Sequence, residues 1–238
     1  MHLLQLGIYM QNCSQWILAE HAAYCLGAVT VPFYDTLGPD TVQFILTHTN
    51  LRTVICTRAQ LPSLVEAKNS GACPCFRNVI VIDGVIPEAA HIAKEAHLNL
   101  YSLAKVEATG AHFVSTEGHA HRPPKGSDIA TFCYTSGTGD PKGALISHTN
   151  LVSTMAGVKG RGLLLQITDR HLSYLPLPHI FERVIVGQVL TNGASIAFFR
   201  GDPTLLVEDI KACRPTVMPV VPRVLNRIHD KVRNLVKM

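Results

Sequence analysis

Short apolar runs and amphipathic segments take turns along almost the whole chain, and that alternation leaves few architectures open. Ala28-Val29-Thr30-Val31-Pro32-Phe33, Thr53-Val54-Ile55-Cys56 and Asn78-Val79-Ile80-Val81-Ile82 read as strands rich in β-branched residues. Between them lie helical segments. Ser14 is placed to cap a helix running to about Leu26, with Trp16, Ile17, Ala23 and Leu26 on its apolar side and Gly27 as its stop. Pro39 and Asp40 open a second helix to about Thr49, and a third spans about Leu61 to Asn69. Consecutive parallel strands need a crossover, usually a helix, so repeated βα units predict a mostly parallel sheet covered by helices.

The second half continues the pattern. Strands are expected at 129–134, 144–147, 172–175, 194–199 and 216–218. Helices are expected near 149–158, from about His179 to Leu190, near 204–212 and from about Arg223. Residues 108–128, with Gly110, Gly118, Gly126, Pro123 and Pro124, read as an irregular surface connection. With no internal repeat and no linker, residues 1–238 read as one continuous α/β unit.

Bulk numbers exclude more than they assign. A chain of 238 residues can bury roughly 70–75% of its unfolded surface. Its net charge of +4 includes no basic stripe interleaved with aromatics, so nothing points to a nucleic-acid partner. No run approaches the roughly 20 apolar residues of a spanning helix. The first residues, Met1-His2-Leu3-Leu4-Gln5-Leu6-Gly7, lack a signal peptide's charge and length and read as a strand. Seven cysteines without framework spacing suit a reducing, cytoplasmic setting. Cys73-Pro74-Cys75, which with His91 or His97 would offer metal ligands, lacks a second cysteine pair and reads as a surface loop, so no metal site is expected.

Chemistry concentrates in Thr135-Ser136-Gly137-Thr138-Gly139-Asp140-Pro141-Lys142-Gly143, directly after the apolar run 129–134. A loop leaving the C-terminal end of a parallel strand sits where open α/β sheets bind ligands. Glycines let the backbone approach a polyphosphate, hydroxyls donate, and Lys142 adds a mobile positive charge. Pro141 excludes a Walker A loop, and the glycine spacing is not that of a dinucleotide fingerprint.

This string resembles the phosphate-binding signature of the adenylate-forming superfamily, Thr-Ser-Gly-Thr-Thr-Gly-x-Pro-Lys-Gly. Further segments are similar to those of long-chain fatty acyl-CoA synthetases. They are Tyr174-Leu175-Pro176-Leu177-Pro178-His179-Ile180-Phe181-Glu182-Arg183 and the run from Arg214 through Pro219, Pro222 and Arg223 to Ile228. Near the start, Asn12 with Trp16 and Pro32-Phe33-Tyr34-Asp35-Thr36-Leu37-Gly38 match as well. The resemblance implies ATP-dependent activation of a long-chain fatty acid to an acyl-adenylate with release of pyrophosphate. Thiol attack by coenzyme A then displaces AMP. It implies that Thr135, Ser136, Gly137, Thr138, Gly139, Lys142 and Gly143 hold the β- and γ-phosphates bridged by Mg²⁺. Lys142 would meet the leaving pyrophosphate, and His179 would lie beside the carboxylate and α-phosphate. A full-length form would associate peripherally with the cytoplasmic face of an intracellular membrane such as the endoplasmic reticulum.

Other residues of these segments read more plainly. Glu182 and Arg183 suit a surface or interdomain pair, and Tyr174 suits either the core or an acyl tunnel. Arg214, Arg223 and Arg227 suit structural pairing rather than an anion clamp.

The chain also departs from the pattern. Thr138 stands alone where the signature has two successive residues, so the loop is one residue short. The family's adenine- and ribose-contacting segments, its hinge and its small C-terminal lid domain have no counterpart within 1–238, which therefore reads as part of the large N-terminal domain. A non-catalytic acyl- or nucleotide-binding remnant is the alternative reading. A phosphate-loop NTPase is disfavoured by the loop spacing, and a relative acting on an aromatic or short-chain acid by the 174–183 and 214–228 segments.

Overall fold

The structure, a computed structural model, describes residues 4–34, 39–118, 122–135, 141–222, 224–226, 229, 230 and 233. Seven strands form one sheet: Gln5–Tyr9 (β1), Val29–Pro32 (β2), Thr53–Cys56 (β3), Asn78–Val81 (β4), Asn99–Ser102 (β5), Ile129–Thr135 (β6) and Lys142–Ser147 (β7). Their order is β5-β4-β3-β1-β2-β6-β7, all neighbours parallel except the antiparallel β6–β7 hairpin. A second sheet pairs Arg170–Ser173 (β8) with Ser195–Phe198 (β9) in parallel. The α/β class and the mostly parallel pairing follow the sequence pattern.

Helices Ser14–Cys25 (α1), Pro39–Thr49 (α2), Leu61–Asn69 (α3), Pro87–Glu95 (α4), Leu103–Glu117 (α5), His148–Gly160 (α6), Ile180–Thr191 (α7) and Leu206–Cys213 (α8) complete the chain's layers. Strand periodicity sorts the core. Val54 and Cys56 join Val79 and Val81 in a cluster with α2, α3 and α4. Ile55 and Ile8 belong to the opposite cluster, with Trp16 and Ala19 of α1 and Val186 of α7. Helix α7 also reaches the second sheet, where Ile185 and Val189 pack near Ile196. Covered on both flanks, it buries Val184, Ile185, Val186 and Val189 together with the polar Glu182, Arg183 and Gln188.

Several local expectations change. Cys13, not Ser14, is the N-cap of α1, and no side chain caps that end. Gly27 does end the helix, with φ +61° and its N–H on the Tyr24 carbonyl, but Leu26 stays exposed. Residues 108–117 are not irregular: they continue α5, whose N-cap Ser102 accepts from the Lys105 N–H. None of its residues is buried, although Leu103, Val106, Phe113 and Val114 recur at helical spacing. The alternation read from sequence also passes over α4 and β5, although Pro87 opens α4 and Ala89 and Ala93 are buried at helical spacing. Val217 contributes only an isolated bridge to His171 instead of a strand. The described positions 222, 224–226, 229, 230 and 233 are helical, as expected beyond residue 222.

Gly7 marks the tightest point of the main sheet. A Cβ there would lie 2.6 Å from Leu51 Cδ2 and 2.9 Å from Val54 Cγ2, and both of those side chains are fully buried. Gly7→Ala is expected to destabilise the fold by about 1–3 kcal/mol through overpacking. Urea denaturation that leaves the midpoint unchanged would show that the neighbours can yield.

Candidate functional site

The antiparallel register of β6 and β7 sets Tyr134 opposite Gly143 and Thr135 opposite Lys142. Thr135 and Lys142 thus face each other at the base of the glycine- and hydroxyl-rich loop, at the C-terminal end of β6, and both are exposed. Of the loop residues expected to bind phosphate, Ser136, Gly137, Thr138 and Gly139 lie outside the described residues. Gly143 is constrained from below, since a Cβ would lie 3.2 Å from the Tyr134 ring. That ring is itself held. Its hydroxyl is 2.7 Å from His48 Nδ1, and Phe44 stacks on His48. Burial pushes the Tyr134 phenol up to about 12.

His179 approaches the same hairpin through its predecessors. Cys133 Sγ, two residues before Thr135, donates to the Pro178 carbonyl at 3.5 Å. Asn12, just beyond β1, donates to Ser173 Oγ (2.9 Å) and the Leu175 carbonyl (2.7 Å) and accepts from the Leu177 N–H (3.0 Å). These bonds pin residues 173–178 across the C-terminal ends of β1 and β6. His179 then caps α7, its Nδ1 accepting the Phe181 N–H at 3.2 Å. A ring whose Nδ1 accepts carries its proton on Nε2 when neutral, so His179 offers one N–H donor beside a helix N-terminus, where anions are favoured.

The residues after His179 overturn the expectation of a surface pair. Glu182 and Arg183 are both buried and bond to different elements. Glu182 Oε1 lies 2.8 Å from His171 Nε2 on β8. Arg183 reaches the other way: Nη1 donates to Thr131 Oγ1 of β6 at 2.9 Å, and Nη2 donates to Tyr24 Oη at 2.8 Å and to Glu20 Oε1. Its guanidinium also lies 5.6 Å from the Trp16 ring centroid. Burial works against the Arg183 charge, but Glu20 and Tyr24 outweigh it and hold the group above its ordinary pKa. Burial, aided by the Glu20 carboxylate, raises the Tyr24 phenol. His148, which opens α6, packs edge-on to Tyr24 at 4.9 Å and is shifted down by burial.

Sequence reasoning missed Glu20, Tyr24, His48 and His171. Nothing local distinguishes them, because their partners lie far along the chain. Asn12 stood within the Asn-x-x-x-Trp element and was the one signal available. Tyr174 is a core residue, donating to the Pro219 carbonyl at 2.9 Å, and it also lines a cavity of about 40 Å³ with Met10, Asn12, Pro178 and Phe199. That space is little more than a water's share of liquid volume. A far larger apolar groove, about 1140 Å³, lies between α5 and the sheet, walled by Leu26, Ile80, Val106, Phe113 and Val114. It includes Thr53 and Asn78, the first residues of β3 and β4, so it opens at the opposite end of the strands from the hairpin. Cys73-Pro74-Cys75 lies in the connection between α3 and β4, with Pro74 exposed and the Cys73 side chain buried beside Thr47. No metal-binding cluster of three or more His, Cys, Asp or Glu occurs among the described residues. Arg214 ends α8 in the left-handed region (φ 49°), while the side chains of Arg223 and Arg227 lie outside the described residues.

Two outcomes are expected. Arg183→Met leaves Glu20 buried without its cation and should cost about 3–5 kcal/mol in urea unfolding. A loss under about 1 kcal/mol would mean that water reaches the pair. The Tyr134 phenol, raised from 10.0 to about 12, stays protonated in the fold where the unfolded chain would ionise. Its contribution to stability is present below pH 10 and lost as pH rises towards 12. Tyr134→Phe should flatten this alkaline loss, and an unchanged pH profile would contradict it.

The chain is 39% identical over 236 residues to long-chain-fatty-acid–CoA ligase 5 of Mus musculus, a match covering 97% of this chain and 34% of the relative. It is 37% identical to the peroxisomal long chain acyl-CoA synthetase 6 of Arabidopsis thaliana, covering 97% and 32%. The chain thus spans about a third of the length of these relatives. Among solved structures, the A domain of carboxylic acid reductase from Segniliparus rugosus, in complex with AMP and a co-purified carboxylic acid, shares the fold. Its TM-score is 0.81 at 21% identity, covering 99% of this chain and 39% of that one. No helix among the described residues is long and apolar enough to cross a membrane. A family model for the AMP-binding enzymes matches residues 5–237, and the chain belongs to that family.

Proposed function

We propose that this chain forms the triphosphate- and carboxylate-facing part of an ATP-dependent long-chain fatty acid–CoA ligase. One observation carries the reading: the β6–β7 hairpin base, with Thr135 opposite Lys142, is tied through Cys133 and Pro178 to the capping His179. A hydroxyl, an amine and an imidazole N–H donor would then share the mouth of one loop. Two anions, a fatty carboxylate and the α-phosphate of ATP, must meet before an acyl-adenylate can form, and their repulsion has to be offset by fixed donors. Lys142 would neutralise the departing pyrophosphate. His179 Nε2–H would donate to the oxygens on which charge gathers, while its Nδ1 keeps the helix cap. Thr135 and the backbone around Gly143 would hold the phosphates, together with Ser136, Gly137, Thr138 and Gly139. Mg²⁺ would accompany the triphosphate and offset part of its charge. Coenzyme A would be the second substrate, its thiol displacing AMP. A membrane-peripheral, cytoplasm-facing setting suits a substrate that partitions into bilayers.

The loop supplies a specific reason for weak binding. Its ends are pinned by the Thr135–Lys142 pairing, so the missing residue removes up to about 3.5 Å of contour from 136–141 alone. Hydrogen bonds tolerate about half an ångström, so not every donor can reach its phosphate oxygen. This favours the remnant reading for the chain as it stands. Isothermal titration with MgATP is expected to give a dissociation constant weaker than micromolar. Inserting a threonine after Thr138 should tighten it at least about tenfold, about 1.4 kcal/mol, and Lys142→Ala in that background should remove the gain. Micromolar binding by the unaltered chain would overturn the loop argument. Fatty-acid-dependent pyrophosphate exchange would establish the ligase, whereas saturable acyl-chain binding without exchange would favour a binding module.

A further inference from the structure

We propose that Glu182 and Arg183 are positioning residues for His179, acting as two buried polar clamps that fix the rotation and height of the first turn of α7. The inference rests on the reading of His179 as a donor at an anion site. Helix α7 has Val184, Ile185, Val186 and Val189 buried, and apolar contacts of this kind are not directional. On such contacts alone the helix could turn or slide by a fraction of a residue at small cost; Gln188, which donates to the Met155 carbonyl, ties down its far half, two turns from His179. Directional bonds are what forbid it.

Glu182 and Arg183 are successive residues, so their side chains leave the axis about 100° apart. They find partners on different sides: His171 of β8 for Glu182, and Glu20, Tyr24 and Thr131 of α1 and β6 for Arg183. Rotation that improves one clamp breaks the other. Both lie within one turn of His179, three and four residues on, and the Arg183 N–H bonds back to the His179 carbonyl at 3.4 Å. Farther along α7 no charged residue follows. Thr131 and Cys133 share β6, so one strand receives the Arg183 clamp, holds Pro178 and leads into the loop. The clamps thereby set His179 relative to β6 and hold the first turn in the geometry that lets its Nδ1 accept the Phe181 N–H, so a loosened turn loosens the ring.

Buried ion pairs are often no more stabilising than apolar replacements of similar size, which separates positioning from stability. The test is ¹⁵N-detected NMR of the imidazoles in the full 238-residue chain, with His179 assigned by its loss in His179→Gln. Wild type is expected to show well-separated Nδ1 and Nε2 signals, the mark of one fixed tautomer. His171→Leu/Glu182→Leu should keep or raise the melting temperature yet bring the two His179 signals towards their average. Glu182→Gln, which keeps an oxygen acceptor for His171, should retain the wild-type signals. A folded double variant with unaltered His179 signals would overturn the proposal. Should the double variant not fold, Arg183→Lys decides. It keeps the charge but loses the fork to Thr131 and Tyr24, so averaging supports the clamp and wild-type signals refute it. Failure of wild-type His179 to respond to AMP with oleate would count against the anion-site reading, whereas the unliganded spectra judge the clamp.

Discussion

A guanidinium sealed inside an α/β core is the constraint around which this molecule is arranged. Arg183 is fully desolvated, and its charge is tolerable only because Glu20, Tyr24 and Thr131 meet it from two other elements. That requirement fixes α1, β6 and α7 relative to one another more tightly than Val, Ile and Leu contacts could. Since α7 also carries Ile185 and Val189 towards the second sheet, the placement of β8 and β9 inherits the same restraint. A polar network of this kind has high stakes: complete, it selects one arrangement, and with a member missing it leaves an uncompensated charge in a low dielectric.

The site is assembled from sequence neighbours and strangers in unequal measure. Thr135 and Lys142 meet because the antiparallel β6–β7 ladder extends into the stretch that sequence reads as loop. The segment before His179 is tied to the sheet by strangers: Asn12 holds Leu177 and Cys133 holds Pro178, more than 160 and 40 residues away respectively. The hairpin also explains why loop length matters so much here. With both ends locked by an antiparallel ladder, a deletion cannot be absorbed by sliding one strand, because a one-residue slip would turn each side chain to the other face.

What could be read from sequence was what repeats. The 53–56 strand and the 61–69 helix coincide with β3 and α3, because each shows its period and its boundary residues within a few positions. Helix α5 carries Leu103, Val106, Phe113 and Val114 at helical spacing, but Gly110 within it and Gly118 at its end read as breakers and obscure that stripe. Ser14 was taken for a cap on residue type, whereas the bend into α1 falls one residue earlier. Glu182 and Arg183 were misread for the opposite reason. Charged residues are almost never fully buried unless paired, and the Arg183 partner Glu20 lies 163 residues away, beyond the reach of any local pattern.

The hairpin has one further consequence, at its outer side. Among the described residues β7 is the last strand of the sheet, with Leu145 60% exposed and a row of main-chain donors and acceptors facing outward. Such a border is a template on which another extended segment can crystallise its own ladder, so self-association should begin there. Two features blunt it: the irregularity in β6 between Ile129 and Thr131, which twists the ladder, and the charge of Lys142 at the strand's start. The lysine proposed for phosphate chemistry would then also be a solubility device, placed at the start of this outer strand.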